Sequence, residues 1–135
     1  MDRKSLLLVG ASALAFSLLY ACERSRAQSV QGRRVVRLAE LEIDPSQLEA
    51  YNAALKDEIE TSVRVESGVL SLYAASVRGN PSQIRIFEMY ADVDAYNAHL
   101  KTPHFLRYKA ATQQMVKSLR LMEMEPIVLG ARAPK

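Results

Sequence analysis

The sequence predicts an α+β domain whose elements follow the order β-α-β-β-α-β. Three observations lead to this prediction. Apolar and charged residues nearly alternate at 34–43, an amphipathic helical pattern follows a capping signal at 44–47, and two strand patterns at 69–77 and 83–90 surround a turn. With a further helical region and a last strand pattern, the order is the ferredoxin-like arrangement with an antiparallel sheet.

The first helix has a strong start signal. Asp44 is an N-cap residue, Pro45 suits the first helical position and Gln47 occupies the capping-box position. Apolar residues then recur every three or four positions as far as about Val65, which predicts an amphipathic helix. We expect its buried stripe to contain Leu48, Tyr51, Leu55, Ile59 and Val63.

A hairpin follows this helix. The segment 79–82, GNPS, is the predicted turn between its two strands. The two-residue period of the second strand places Ile84, Ile86, Glu88 and Tyr90 on one face and Arg85, Phe87 and Met89 on the other. Glu88 therefore interrupts an apolar face where a structural residue would be Val or Ile, which makes it a candidate functional carboxylate.

The chain's two histidines lie on either side of a predicted helix break. Asp92 caps a short helix, and Thr102-Pro103 repeats the cap-then-proline signal before the next one. His99 is thus expected in the last turn of one helix and His104 in the first turn of the next. The predicted bounds of the last three elements are 92–101, 104–116 and 119–129.

The N-terminal segment 1–22 predicts an export signal of the lipoprotein type. Its apolar run at 6–21 would reach about 24 Å as a helix, which is short for a hydrocarbon core of about 30 Å. Cys22, the only cysteine, follows this run and resembles the lipidated first residue of a bacterial lipoprotein. The alternatives are cleavage after Ala27 and an ordinary secretory signal beside an unrelated cysteine.

Under each of these alternatives we expect an exported protein of the periplasm or cell envelope, and a membrane-anchored one if Cys22 is lipidated. The predicted organisation is a signal peptide at 1–22, a disordered tether at 23–32, a domain at 33–129 and a tail at 130–135.

Composition and motifs narrow the classes of function. Lys and Arg number 18 against 15 Asp and Glu, a balance that does not favour nucleic acid binding. The basic cluster Arg33, Arg34 and Arg37 is interpreted as a solvated or membrane-facing edge. No glycine-rich phosphate loop, metal-spaced His and Cys set or Ser-centred elbow occurs, so the common cofactor and nucleophile signatures are missing. The domain is small and lacks a disulfide, which favours a dimer.

The stretch FEMYADVDAYNAHLKTPHF, residues 87–105, resembles the antibiotic biosynthesis monooxygenase family. The shared pattern is Phe-Glu-x-Tyr, then Ala, His and Thr-Pro-His-Phe at fixed spacing, preceded by a helix and a hairpin. In that family two subunits pack sheet to sheet into a dimeric α/β barrel, and each subunit holds a pocket between sheet and helices. The resemblance therefore implies a homodimer that oxidises phenolic substrates with O₂ and no metal, flavin or haem.

Two branches of the family have characteristic residues that this sequence matches to different degrees. The haem-degrading branch requires an Asn, a Trp and an iron-binding His where this sequence has Leu38 or Ala39, His99 and Lys109, so haem degradation is disfavoured. A branch of isomerases that process a phosphorylated autoinducer shares the Glu-x-Tyr and Thr-Pro-His patterns, but it is cytoplasmic. The isomerase and a non-catalytic module that binds a small ligand remain the alternatives to a quinol monooxygenase.

For the monooxygenase we expect His99 to take a proton from the substrate and Glu88 to orient His99 or the substrate. His104, Tyr73, Tyr90, Arg85 and Phe105 are the predicted substrate-binding residues. The alternative for both histidines is structural: His99 partly buried at a helix end, and His104 hydrogen-bonded to backbone at the helix break.

Overall fold

The computed structural model describes residues 33–128 and residue 130, and the elements within them follow the predicted order. The ferredoxin-like α+β fold class is confirmed, including the break in the second helical region. The elements are β1 (Val35–Ile43), a 3₁₀ turn (Pro45–Gln47), α1 (Leu48–Val65), β2 (Val69–Val77), β3 (Asn80–Tyr90), α2 (Val93–His99), α3 (Pro103–Thr112) and β4 (Val116–Met124).

Several predictions concern parts of the chain outside the described residues. They are the signal peptide at 1–22 with Cys22, the tether at 23–32, and the tail at 130–135 apart from Gly130. In the described part of the chain, no helix combines the length and apolar character needed to cross a bilayer.

The four described strands form one antiparallel sheet in the order β2-β3-β1-β4. β2 and β4 are its two edges, so the sheet of a single chain is open. At its centre, Leu38 on β1 lies between Phe87 on β3 and Met122 on β4. The dimeric barrel implied by the family resemblance stays a prediction at this stage.

The helices cover one face of the sheet, which we call the inner face. Ala39, Leu41 and Ile43 on β1 pack there with Ile84 and Ile86 on β3 and with residues of α1. The opposite, outer face carries Glu40, Glu42, Gln83 and Arg85 toward one end and a patch of apolar side chains toward the other. They are Leu38, Phe87, Met89 and Met122, with Met124 at the sheet edge.

The buried stripe of α1 differs from the predicted one at its C-terminal end. Val63 is 52% exposed, whereas Glu58 and Ser62 are buried. The Ser62 hydroxyl donates to Glu58 Oε1 at 2.8 Å, so each polar group has a partner inside the protein. The buried side of α1 therefore continues to its C-terminal part, but there it consists of polar residues.

Three predicted boundaries were wrong. The hairpin turn is Arg78-Gly79 rather than 79–82, since Gly79 has a φ of 81° and lets the strands close in two residues. α3 ends at Thr112, because the Met115 amide bonds back to Thr112 and Val116 pairs with β1. β4 ends at Met124, which pairs with Val36 next to the start of β1, so no partner strand remains beyond it.

Candidate active site

A cavity of about 350 Å³ lies between the inner face of the sheet and the helices. Its volume is in the lower part of the range of small-molecule sites. Most of the wall is apolar, with a small set of polar and aromatic side chains contributed by β1, β3 and the three helices. These include Arg37, Glu58, Glu88, Tyr90, Tyr96, His99, Phe105 and Tyr108.

His99 is the last residue of α2 and lines this cavity. The helix begins at Asp92, whose side chain accepts a hydrogen bond from the Ala95 amide at 2.8 Å. The imidazole is 3% exposed and lies between two rings, with centroid distances of 5.2 Å to Tyr90 and 4.7 Å to Phe105. Packing on both sides leaves the ring little freedom to turn.

Both histidines converge on a single carboxylate, Glu66, at the C-terminal end of α1. Glu66 Oε1 is 3.0 Å from His99 Nδ1 and 2.6 Å from His104 Nε2. The break between α2 and α3 makes this possible, because Thr102 caps α3 and also donates to the His99 carbonyl. Burial alone would raise the pKa of Glu66, but the hydrogen bonds from His104 and His99 outweigh it and lower that pKa.

Glu66 therefore sets the hydrogen positions on the two rings. An ionised carboxylate only accepts hydrogen bonds, so each ring nitrogen that contacts Glu66 carries a hydrogen. In neutral His99 the hydrogen on Nδ1 leaves Nε2 with the free lone pair. Nε2 lies 3.7 Å from Glu58 Oε1, beyond a direct hydrogen bond.

Two further carboxyl groups line the cavity, Glu58 and Glu88. Burial raises the pKa of Glu58 more than the Ser62 hydroxyl and His99 lower it. Burial likewise raises the pKa of Glu88, against smaller opposing effects of the Tyr90 hydroxyl and Arg37. Glu88 accepts a hydrogen bond from Tyr90 Oη at 3.2 Å. Both carboxyl groups are thus shifted toward their neutral forms.

Of the predicted site residues, His99, Glu88, Tyr90 and Phe105 line the cavity together. The hydrogen-bond partner of His99, however, is Glu66 rather than Glu88.

His104, Tyr73 and Arg85 are not among the residues that line it. His104 is buried against Glu66. Tyr73 is 70% exposed, and it pairs with Phe87 of the outer face. Arg85 is also on the outer face, where it lies 3.4 Å from Glu40.

Sequence reasoning missed Glu58, Glu66 and Arg37. The interpretation of Arg37 as part of a solvated edge was wrong, because Arg37 is partly buried and forms part of the cavity wall. The two-residue period of β1 could have predicted this position, since Arg37 is on the same face of the strand as the buried Ala39. The helical period could likewise have predicted the positions of Glu58 and Glu66. They continue the buried stripe of Tyr51 and Leu55 at steps of three or four residues.

Glu66, His99 and His104 are also the one group in the described part of the chain with three or more donors placed to hold a metal ion. Their donor atoms lie within 4.8 Å of one another. The third donor, Glu66, is a carboxylate from a distant part of the chain, so a search for spaced His and Cys residues does not find it. Imidazole and carboxylate suit zinc or iron, but here the same atoms already satisfy one another as hydrogen bonds.

Comparisons with known proteins agree with this architecture. Residues 34–111 match the family model described as antibiotic biosynthesis monooxygenase. A crystal structure of a candidate antibiotic biosynthesis monooxygenase from Bacteroides thetaiotaomicron is 46% identical, with a TM-score of 0.72, over 76% of this chain and 97% of that one. Among curated proteins, no sequence matches the chain.

Two other solved structures extend the comparison. A candidate monooxygenase from Lactobacillus acidophilus is 33% identical with a TM-score of 0.67, over 70% of this chain and 45% of that one, so this chain spans less than half of the Lactobacillus protein. A Nitrosomonas europaea structure at 19% identity and a TM-score of 0.66, over 72% of this chain and 93% of that one, shares the fold.

Proposed function

The chain belongs to the antibiotic biosynthesis monooxygenase family, and from this premise we propose that it is a cofactor-independent monooxygenase acting on a quinol or another dihydroxy-aromatic. The observation that carries the proposal is His99, which lines an apolar cavity while Glu66 holds its Nδ1 at 3.0 Å. A carboxylate behind an imidazole is the usual arrangement of a general base, because it fixes the tautomer and stabilises the imidazolium that forms.

In the proposed reaction, His99 Nε2 takes the proton of a substrate hydroxyl. The resulting phenolate gives one electron to O₂, and the substrate radical and superoxide combine through a new C–O bond. The hydroperoxide then loses water by cleavage of its O–O bond, which leaves one oxygen atom on the oxidised ring. O₂ receives four electrons in all, and the substrate supplies them, so no further reductant is needed.

The cavity suits this chemistry in two respects. Aromatic rings of Tyr90 and Phe105 flank His99 and offer flat apolar surfaces to a substrate ring. Burial raises the pKa of both Glu58 and Glu88, a direction that reduces the negative charge opposing formation of a phenolate.

Oxygen uptake by the purified chain tests the proposal. An oxygen electrode would follow a panel of reduced quinols and substituted hydroquinones, with the product identified by mass spectrometry after reaction under ¹⁸O₂. We expect one ¹⁸O atom in the product, and we expect His99→Ala to lower kcat by about 10²- to 10⁴-fold. Tyr73→Phe, outside the cavity and 70% exposed, is the matched control and should keep full activity.

Two results would remove the proposal: no oxygen uptake with any member of the panel, or full activity in His99→Ala. The cofactor-independent part is tested separately, by dialysis against EDTA and measurement of bound metals. Activity that disappears on dialysis and returns with one metal would instead favour an ion held by Glu66, His99 and His104.

We propose further that the chain forms a homodimer through the outer face of the sheet. The apolar side chains of Leu38, Phe87, Met89 and Met122 support this, as does the sheet-to-sheet dimer that the family resemblance implies. Leu38→Lys should yield monomers in sedimentation velocity, since it puts a charge at the centre of this face. Leu106→Lys, on an exposed position of α3, should not, and a wild-type monomer would contradict the proposal.

Export and lipidation at Cys22 remain proposals that rest on the sequence alone. Mass spectrometry of the N-terminus of the protein isolated from its native host tests them. A chain that begins at a lipid-modified Cys22 supports both, whereas one that begins at Gln28 without lipid refutes the lipid anchor.

A further inference from the structure

Arg37 brings a positive charge to the inner face of the sheet. It lies on β1 at the cavity wall, opposite Glu88 on β3 and Glu123 on β4 in the strand register. Among the residues that the structure describes, neither carboxylate forms an ion pair with its guanidinium. The charge of Arg37 is therefore not neutralised by a direct partner within residues 33–128.

Much of the hydrogen-bonding capacity of this guanidinium is unused within the same residues. Its Nη1 donates to the Tyr96 hydroxyl, and its Cζ lies 4.7 Å from the centre of the Tyr96 ring. Its buried Nε has no hydrogen-bond partner in the described part of the chain. A guanidinium carries five N–H donors in a plane that matches a carboxylate. Tyr96 thus contacts the guanidinium at Nη1, and the buried Nε has no partner within residues 33–128.

Other charged groups give the cavity a cationic character. Lys109 and Lys117 line it and are exposed, which puts them at its mouth. The wall also contains two carboxyl groups, Glu58 and Glu88, so the three basic side chains outnumber the acidic ones among the lining residues. Positive charge in a concave, low-dielectric site attracts anions, so the cavity is suited to an anionic ligand.

We propose that Arg37 is a specificity-determining residue that binds a carboxylate carried by the aromatic substrate. The inference rests on the proposed function, because it assigns a substituent of the dihydroxy-aromatic ring. The rings of Tyr96 and Tyr90 lie between Arg37 and His99. The ring centroids of Tyr96 and Tyr90 are 5.2 Å apart, and those of Tyr90 and His99 are also 5.2 Å apart. Two aromatic rings thus lie between the site of the carboxylate and the base, so the carboxylate and the reacting hydroxyl are different substituents of the substrate ring.

Binding of matched acids and esters tests this directly. Isothermal titration calorimetry, with oxygen excluded to prevent turnover, would compare 2,5-dihydroxybenzoate and 2,5-dihydroxyphenylacetate with their methyl esters. We expect the wild-type chain to bind at least one of the acids about tenfold or more tightly than its ester. Arg37→Met should remove this preference while ester binding changes by less than about twofold, and Arg37→Lys should keep part of it.

The unchanged binding of the ester shows that Arg37→Met is folded, and Arg64→Met, at an exposed position of α1 outside the cavity, is the matched control that should bind like wild type. Equal binding of acid and ester by wild type, an acid preference that survives in Arg37→Met, or no binding of either acid would overturn the inference. Arg37-dependent binding without oxygen uptake would leave it standing and remove the proposed function. Oxygen uptake by a chain that binds acid and ester equally tightly would leave the proposed function standing and remove the inference.

Discussion

Replacing Glu66 by Ala removes the acceptor that joins α1 to both histidines. The two contacts, at 3.0 Å to His99 Nδ1 and 2.6 Å to His104 Nε2, have the geometry of charge-assisted hydrogen bonds. Such a bond contributes about 1.5 to 3 kcal/mol. The Glu66 side chain is 12% exposed, so solvent screens the contacts little. We therefore expect Glu66→Ala to lower the free energy of unfolding by about 3 kcal/mol or more.

Urea unfolding followed by circular dichroism measures this loss. A domain of this size unfolds with a dependence on urea of about 1 to 2 kcal/mol per molar, so a loss of about 3 kcal/mol shifts the midpoint down by about 2 M. The same variant should lower kcat, because the His99 ring loses the group that fixes its tautomer. Nitrogen NMR of the imidazoles would report the tautomer change independently of activity.

Glu60→Ala is the matched control for this experiment. Glu60 is on the same helix, but its side chain is 67% exposed and its partner Lys56 is 3.8 Å away at the surface. A surface pair of this kind contributes about 0.5 kcal/mol or less. If Glu66→Ala costs no more than Glu60→Ala, the histidine cluster does not stabilise the fold and the reasoning above is refuted.

Three further predictions concern packing and pH. Gly68→Ala would place a methyl carbon 2.5 Å from Ala95 Cβ, so it should cost about 1 to 3 kcal/mol in thermal unfolding, and Ala95→Gly in the same chain should recover part of that loss. Tyr51→Phe removes a hydroxyl 2.7 Å from that of Tyr108 and should cost about 1 kcal/mol in urea, whereas an unchanged midpoint would show that the pair contributes nothing. Burial raises the pKa of Glu58 above 4.5, so the folded state binds the carboxyl proton more tightly than the unfolded state does. The free energy of unfolding therefore falls as pH rises from the unfolded-state pKa to the folded-state pKa of Glu58. Glu58→Gln should reduce this fall in melting temperature, and parallel pH profiles of the two proteins would contradict it.

The capping signals show what the sequence could predict. Asp44 accepts from the Ser46 amide, Asp92 from Ala95 and Thr102 from Phe105, as side chains at these positions do in most proteins. Such signals are local, since each involves residues within three positions along the chain. They were sufficient to place the helix starts and, with the strand period, the fold class.

The partners of the histidines could not be predicted in the same way. Glu66 is 33 residues from His99 and 38 from His104, so their contact depends on how α1 packs against the helix break. A polar residue on the buried side of a helix was visible in the sequence at Glu58, but only tertiary packing decides whether such a residue points into a cavity or toward solvent. The placement of Arg85 and Arg37 on opposite faces follows from strand parity once the core face is known.

The Glu66 cluster also constrains how a substrate can reach the cavity. Separation of α2 and the first turn of α3 from α1 would break both hydrogen bonds of Glu66, so local opening at that end carries a high free-energy cost. Lys109 lies five residues after His104 on α3, about 7.5 Å farther along the helix axis, and it lines the cavity at an exposed position. Fluctuations at that end of α3 and at the start of β4 leave the cluster intact. Hydrogen exchange should therefore be faster around the end of α3 than around His99, and under the proposed function that end of α3 is where we expect a substrate to enter.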